Sequence, residues 1–116
     1  MSRDEAAIEK EIQDRGANVA PRLTPQLIDE SILSVHYMHG AEMEDSLGFP
    51  TSKESLGCLT ICVLVLKNGF TIVGKSACAS PANYNAEIGR KITRDDARNQ
   101  VWALEGYALR NRLAAE

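Results

Sequence analysis

The sequence predicts an α+β fold: a small antiparallel sheet built on one β-hairpin, packed by N-terminal and C-terminal helices. Three observations carry this. Two apolar runs, one ending at Leu66 and one starting at Phe70, flank Asn68-Gly69, the dipeptide best suited to a two-residue type I′ turn. Thr24-Pro25 and Ser80-Pro81 each offer a capping hydroxyl followed by a proline, a pattern that opens helices. The last twenty or so residues repeat apolar side chains at helical spacing.

Asp4 to Arg15 reads as a helix with Ile8 and Ile12 one turn apart and Gly16 as its C-terminal cap. Its apolar stripe is thin, so it packs on a partner or frays. Gly16 to Leu23 is a linker, and the second helix starts at Thr24-Pro25, carried by Leu27, Ile28, Ser31 and Ile32 with Asp29 and Glu30 outside. Ser34 to Met38 alternates as a strand does, and Gly40 to Ser55 reads as a mobile loop or lid. The hairpin runs from about Gly57 to Ala79. A short helix extends from Ser80-Pro81 to about Lys91, and Thr93 with Asp96 three residues on resembles a capping box that begins a longer helix ending near Leu113. The division is a single domain, 1–116, with residues 1–23 as helix and linker and 24–116 as the α+β core.

A two-residue loop at Asn68-Gly69 fixes the cross-strand partners: Leu59 faces Cys78, Cys58 faces Ala79 and Cys62 faces Lys75. One hairpin face then carries Leu59, Ile61, Val63, Val65, Phe70 and Ile72, which helices must cover. The other carries Cys58, Thr60, Cys62, Leu64, Leu66, Thr71, Val73, Lys75 and Ala77, a mixed surface assigned to the third strand or a subunit contact. In this register Cys58 and Cys62 stand about 13 Å apart on one face and Cys78 lies on the other, so no pair can bridge within the hairpin. An odd number of cysteines, 3, suits a reducing compartment.

Composition narrows the function. A net charge of −3 lacks the basic excess that a general nucleic-acid or anionic-membrane binder needs. No apolar run reaches the roughly 18 residues of a membrane span, and the start is acidic and amphipathic, unlike a secretory signal. These features point to a cytoplasmic protein with neither nucleic acid nor membrane as partner. A chain of 116 residues holds a modest core and often completes it by self-association, so a homo-oligomer is expected.

The sharpest constellation lies on the last helix. At about 100° per residue, Arg94, Arg98, Glu105 and Arg112 fall between one apolar flank of Ala97, Val101, Leu104 and Ala108 and another of Trp102, Leu109 and Leu113. Charges placed inside an apolar arc must find partners at a buried boundary. One reading gives interface salt bridges, for instance Arg98 with Glu105 of a second copy. The other gives an anion pocket of Arg90, Arg94 and Arg98, whose guanidinium forks suit phosphate oxygens. Asn83 and Tyr84 could read and stack on a base, or serve locally, with Asn83 bonding the first turn and Tyr84 packing on Trp102. His36 and His39 form an HxxH pair, but three residues apart on a strand they face opposite sides, which argues against a metal. No Walker loop, GxGxxG, GxSxG or paired catalytic carboxylate is present, so the chain is not expected to be an enzyme or to need a cofactor.

Taken together, Arg22-Leu23-Thr24-Pro25 leading to Ser34 through Tyr37, Leu66-Lys67-Asn68-Gly69-Phe70, Gly74, Ser76-Ala77-Cys78, Pro81, Asn83-Tyr84, Glu87-Ile88-Gly89 and the Trp102 to Tyr107 segment resemble the small accessory proteins of tailed phages, of the phage N4 and phage Sf6 type. These look related to the phage anti-defence proteins that capture the cyclic ADP-ribose signal of the Thoeris system. The resemblance implies a non-enzymatic sponge, an oligomer built from dimers, that sequesters a cyclic ADP-ribose isomer and in some members cyclic oligonucleotides. Asn83, Tyr84, Arg90, Arg94 and Arg98 are the positions best suited to hold it. The alternative is a phage accessory protein that binds a host protein.

Overall fold

The computed structural model describes residues 4–47 and 53–116. Helix α1 spans Glu5–Asp14, α2 Pro25–Glu30, strand β1 Ile32–His39, α3 Gly40–Leu47, α4 Lys53–Leu56, β2 Leu59–Leu66, β3 Thr71–Ala77 and α5 Ala86–Ala114; a 3₁₀ turn, Pro81–Asn83, precedes α5. The three strands form one antiparallel sheet in the order β1-β2-β3, and α5 packs across β2 and β3. The fold is the expected α+β architecture.

Several expectations change in detail. The expected 40–55 loop contains α3 and α4, while residues 48–52 lie outside the described residues. The two helices expected after the hairpin are one. Its N-cap is Asn85, whose side chain accepts from the Ile88 amide at 3.0 Å. Thr93 is buried in mid-helix, where its hydroxyl donates back to the Gly89 carbonyl at 2.8 Å. Asp96, expected to close a cap at Thr93, instead accepts from the Lys75 amide on β3 at 3.0 Å.

The hairpin register also shifts by one residue. Lys67, Asn68 and Gly69 form the loop, closed by Leu66 N to Phe70 O at 2.8 Å and Gly69 N to Leu66 O at 2.9 Å. Gly69 has φ +90° and no described non-glycine residue has positive φ, which excludes the type I′ turn, since that turn needs two such residues. Instead Asn68 Oδ1 accepts from the Phe70 amide at 2.9 Å. The pairs become Leu59 with Ala77, Cys62 with Gly74 and Leu64 with Ile72.

A slip of one residue turns every side chain of one strand to the other face. The face carrying Cys58, Thr60, Cys62, Leu64, Leu66 and Ile72 is therefore the buried one, while Leu59, Ile61, Val63 and Val65 are only half-buried. Small residues explain the choice. A Cβ on Gly74 would stand 2.2 Å from the Thr93 carbonyl oxygen and 2.7 Å from the Ala97 nitrogen, so the helix backbone lies directly on the strand there. Ala97 and Val101, both fully buried, fill the contact, with Ile28 of α2 closing the same core. Alongside, Asp96 takes the Lys75 amide and Gln100 Nε2 donates to the Val73 carbonyl at 2.8 Å. These side chains occupy backbone groups along the β3 edge and block it from pairing further.

Helix α1 has no buried residue; its attachment is polar. Arg22 binds the Glu9 carboxylate through both terminal nitrogens at 2.9 and 2.8 Å, and Glu5 receives Arg98 and the Trp102 indole N–H, the latter at 3.0 Å.

Candidate functional site

Strand β1 and the first turns of α5 bring the chemistry together. On β1, Tyr37 pairs with Cys62 and His39 with Thr60, so both point to the face on which α5 lies. His36, paired with Val63, points to the opposite face and holds Ser34 Oγ at 2.9 Å, so the HxxH pair is split. Among the described residues no group of three or more His, Cys, Asp or Glu is placed to hold a metal ion.

His39 Nε2 reaches the Gly57 carbonyl at 2.8 Å, and its ring lies flat against Tyr84, with centroids 4.0 Å apart and planes 4° from parallel. Tyr84 therefore finds its ring partner on β1. Trp102, sixteen residues into α5, is about 24 Å further along the helix axis.

The stacked rings divide two cavities. One, of 210 Å³, lies over the sheet end and includes Cys58, Cys78, Asn83, Ile88 and Ile92 in its walls. The other, also of 210 Å³, is bounded by Tyr37, Met38, His39, Glu42 and Arg90, and Thr60 and Tyr84 line both. A third hollow, of 350 Å³, continues the second along α5 and shares Tyr37 and Arg90 with it, adding Lys91 and Arg94 with Glu87 and Asp95 at its margin. Together the last two form a trough with rings at one end and cations at the other.

Electrostatics distinguish its members. Burial pushes the Tyr37 phenol up, while Arg94 and Arg90 pull it back down. Burial likewise pushes the Cys62 thiol up, against Arg94. Lys91 pairs with Glu87 at 3.5 Å, an exposed contact of one helical turn. The Arg90 and Arg94 side chains are exposed, and neither makes an ion pair among the described residues of the kind that holds Arg98.

Arg98 lies elsewhere. Its Nε donates to Asp29 at 2.9 Å, one terminal nitrogen binds both Glu5 oxygens, and the other reaches the Pro25 carbonyl at 3.2 Å. Burial opposes its charge, but the bonds to Glu5 and Asp29 outweigh it and raise its pKa. Of the five residues singled out from sequence, Tyr84, Arg90 and Arg94 meet at the trough, Asn83 faces the neighbouring cavity, and Arg98 joins α5 to α1 and α2. The inward orientation expected for the whole stripe holds for Arg98 and the half-buried Glu105; Arg94 and Arg112 are exposed. Sequence reasoning missed Tyr37 and the ring role of His39. The signal was available in the alternation Val35, Tyr37, His39 along β1.

The segment holding the trough and the hairpin coincides with a known family. Residues 23–113 match the model of the phage protein (N4 Gp49/phage Sf6 gene 66) family. The chain belongs to that family. The match includes every trough residue, Arg98 and Asp29, whereas Glu5 lies before it. No curated protein and no solved structure matches the chain. Among the described residues no helix is long and apolar enough to cross a membrane.

Proposed function

We propose that this phage-family protein sequesters a cyclic nucleotide immune signal, a cyclic ADP-ribose isomer or a cyclic oligonucleotide, without turning it over. The observation that supports this reading is the meeting of Tyr37, Tyr84, Arg90 and Arg94 in one trough. A guanidinium pair one turn apart suits phosphate oxygens, and an aromatic pair suits a base. The His39–Tyr84 stack is already flat, so a base extends it without reorganisation. Asn83 lines the other cavity together with Tyr84 and offers an amide for base or ribose edges. The trough is open along its outer side, and in this proposal a second copy of the chain closes it, giving an oligomer built from dimers.

Calorimetric titration with cyclic ADP-ribose isomers and cyclic trinucleotides tests the reading. The expected result is saturable heat with one of them and full recovery of the nucleotide by chromatography. Heat-free titrations with all of them remove the proposal, and loss of nucleotide with time replaces it with an enzyme.

A second reading rests on the sheet face away from α5, where Val73 is 54% and Met38 44% exposed beside half-buried Ile61 and Val63. Such an apolar face suits a host protein. Its sign is a host polypeptide that co-purifies from infected cells and is retained by Arg94→Ala.

A further inference from the structure

We infer that Cys58 and Cys78 form a dithiol site that a peroxide oxidises to an intramolecular disulfide. The register carries the inference. The last ladder pair is Leu59 with Ala77, and one step beyond it Cys78 N donates to Cys58 O at 3.1 Å, while the Cys58 amide turns back to the Ser55 carbonyl at 3.3 Å. Residues opposed across antiparallel strands share a face and hold their Cα atoms about 4.5–5.5 Å apart, and the one bond from Cys78 to Cys58 keeps the two backbones at that spacing. That separation lies inside the window of about 4.4–6.8 Å that a disulfide requires.

The two side chains also share surroundings. Both line the 210 Å³ cavity beside Asn83 and Tyr84. The Cys78 thiol is partly exposed and lies between the Ser80 carbonyl of its own segment, at 3.3 Å, and the Cys58 carbonyl across from it, at 3.7 Å. Cys62 provides the internal contrast: fully buried, four residues along β2 and opposite Gly74, with its thiol pushed up by burial. Its thiolate is scarce and no cysteine faces it.

The chemistry balances with hydrogen peroxide as the oxidant. The Cys78 thiolate attacks one peroxide oxygen, the O–O bond breaks, and hydroxide leaves to take up a proton as water, giving a sulfenic acid. Cys58 Sγ then attacks that sulfur, the S–S bond forms, and the sulfenic oxygen leaves as a second water. Two thiols and one peroxide become one disulfide and two waters. A thiol reductant reverses the reaction. The bond links the residue before β2 to the segment that leads through Asn83 and Tyr84 into α5.

The test uses the full chain, treated with a small excess of hydrogen peroxide and alkylated under denaturing conditions. The expected result is a loss of about 2 Da, one alkylated cysteine where the reduced chain shows all three, and a cross-linked peptide joining Cys58 to Cys78. Dithiothreitol restores all three. Cys62→Ser leaves the cross-link in place, while Cys78→Ser and Cys58→Ala each abolish it with the circular dichroism spectrum unchanged. Three alkylated cysteines after treatment, a Cys78 that stops at an oxygenated sulfur, or a bridge only between two chains overturns the inference.

Discussion

Arg94 and Arg98 leave α5 one turn apart along the same stripe and end in opposite situations. Arg98, its side chain only 13% exposed, is held by Glu5 and Asp29 and braced by the Pro25 carbonyl. Arg94 stands exposed over Tyr37 beside Arg90. Helical spacing determines the side from which each guanidinium departs. What it meets depends on elements far away in the chain, and Glu5 comes from the opposite end. A partly buried charge with two carboxylate partners is a structural joint, because removing it strands the carboxylates. An exposed charge without such partners contributes little to stability and remains available to a ligand.

The contrast can be broken or sharpened by substitution, the largest effect coming from the helix seat itself. Gly74→Ala drives a methyl into the Thr93 carbonyl and Ala97 nitrogen, so α5 lifts from β3 and the stripe moves with it. A loss of about 3 kcal/mol is expected from the urea midpoint. Arg98→Ala should cost about 2 kcal/mol, less than a fully buried pair, because Asp29 is half exposed and Glu5 keeps its bond to Trp102. Asp96→Ala uncovers the Lys75 amide on the β3 edge and should cost about 1 kcal/mol in the same assay. Arg94→Ala should change stability by less than about 0.5 kcal/mol, as expected of an exposed side chain away from the joint.

Alkaline pH gives the finest comparison. The folded phenol of Tyr37 has a raised pKa, so the unfolded chain, titrating near the ordinary value of about 10, loses its proton first. The folded state then binds more protons, and stability falls as pH climbs through that range. Cys62, raised by burial too, adds to the fall from about pH 8.5. Arg94→Ala removes a cation that favours the phenolate and should steepen the decline, whereas Tyr37→Phe flattens it. Melting temperatures measured from neutral to strongly alkaline pH read both.

The fold class, the hairpin's place and the caps of α1 and α2 were legible because local chemistry determines them. Thr24 caps α2 as its position suggests, accepting from the Leu27 amide at 3.1 Å. The register was not legible, because Asn-Gly serves a two-residue loop with both residues at positive φ and a three-residue loop with glycine alone there. That choice inverted the hairpin faces and brought Cys58 opposite Cys78. The continuity of α5 was hidden by Thr93 and Asp96, whose side chains imitate a cap but turn to Gly89 and Lys75. At the site, Arg90, Arg94 and Tyr84 could be named from sequence. The fate of Arg98 and the part of Tyr37 required knowing which distant elements meet α5.

The division of the arginine stripe is tested most directly by titrating a cyclic ADP-ribose isomer into the wild-type chain and into Arg94→Ala, with each melting temperature measured alongside. Arg94→Ala is expected to lose at least tenfold in affinity while its melting temperature stays within about 2 °C of wild type. Undiminished binding by Arg94→Ala, or a loss of stability in Arg94→Ala as large as that expected of Arg98→Ala, would show that the two arginines do not divide the roles of ligand contact and structural joint.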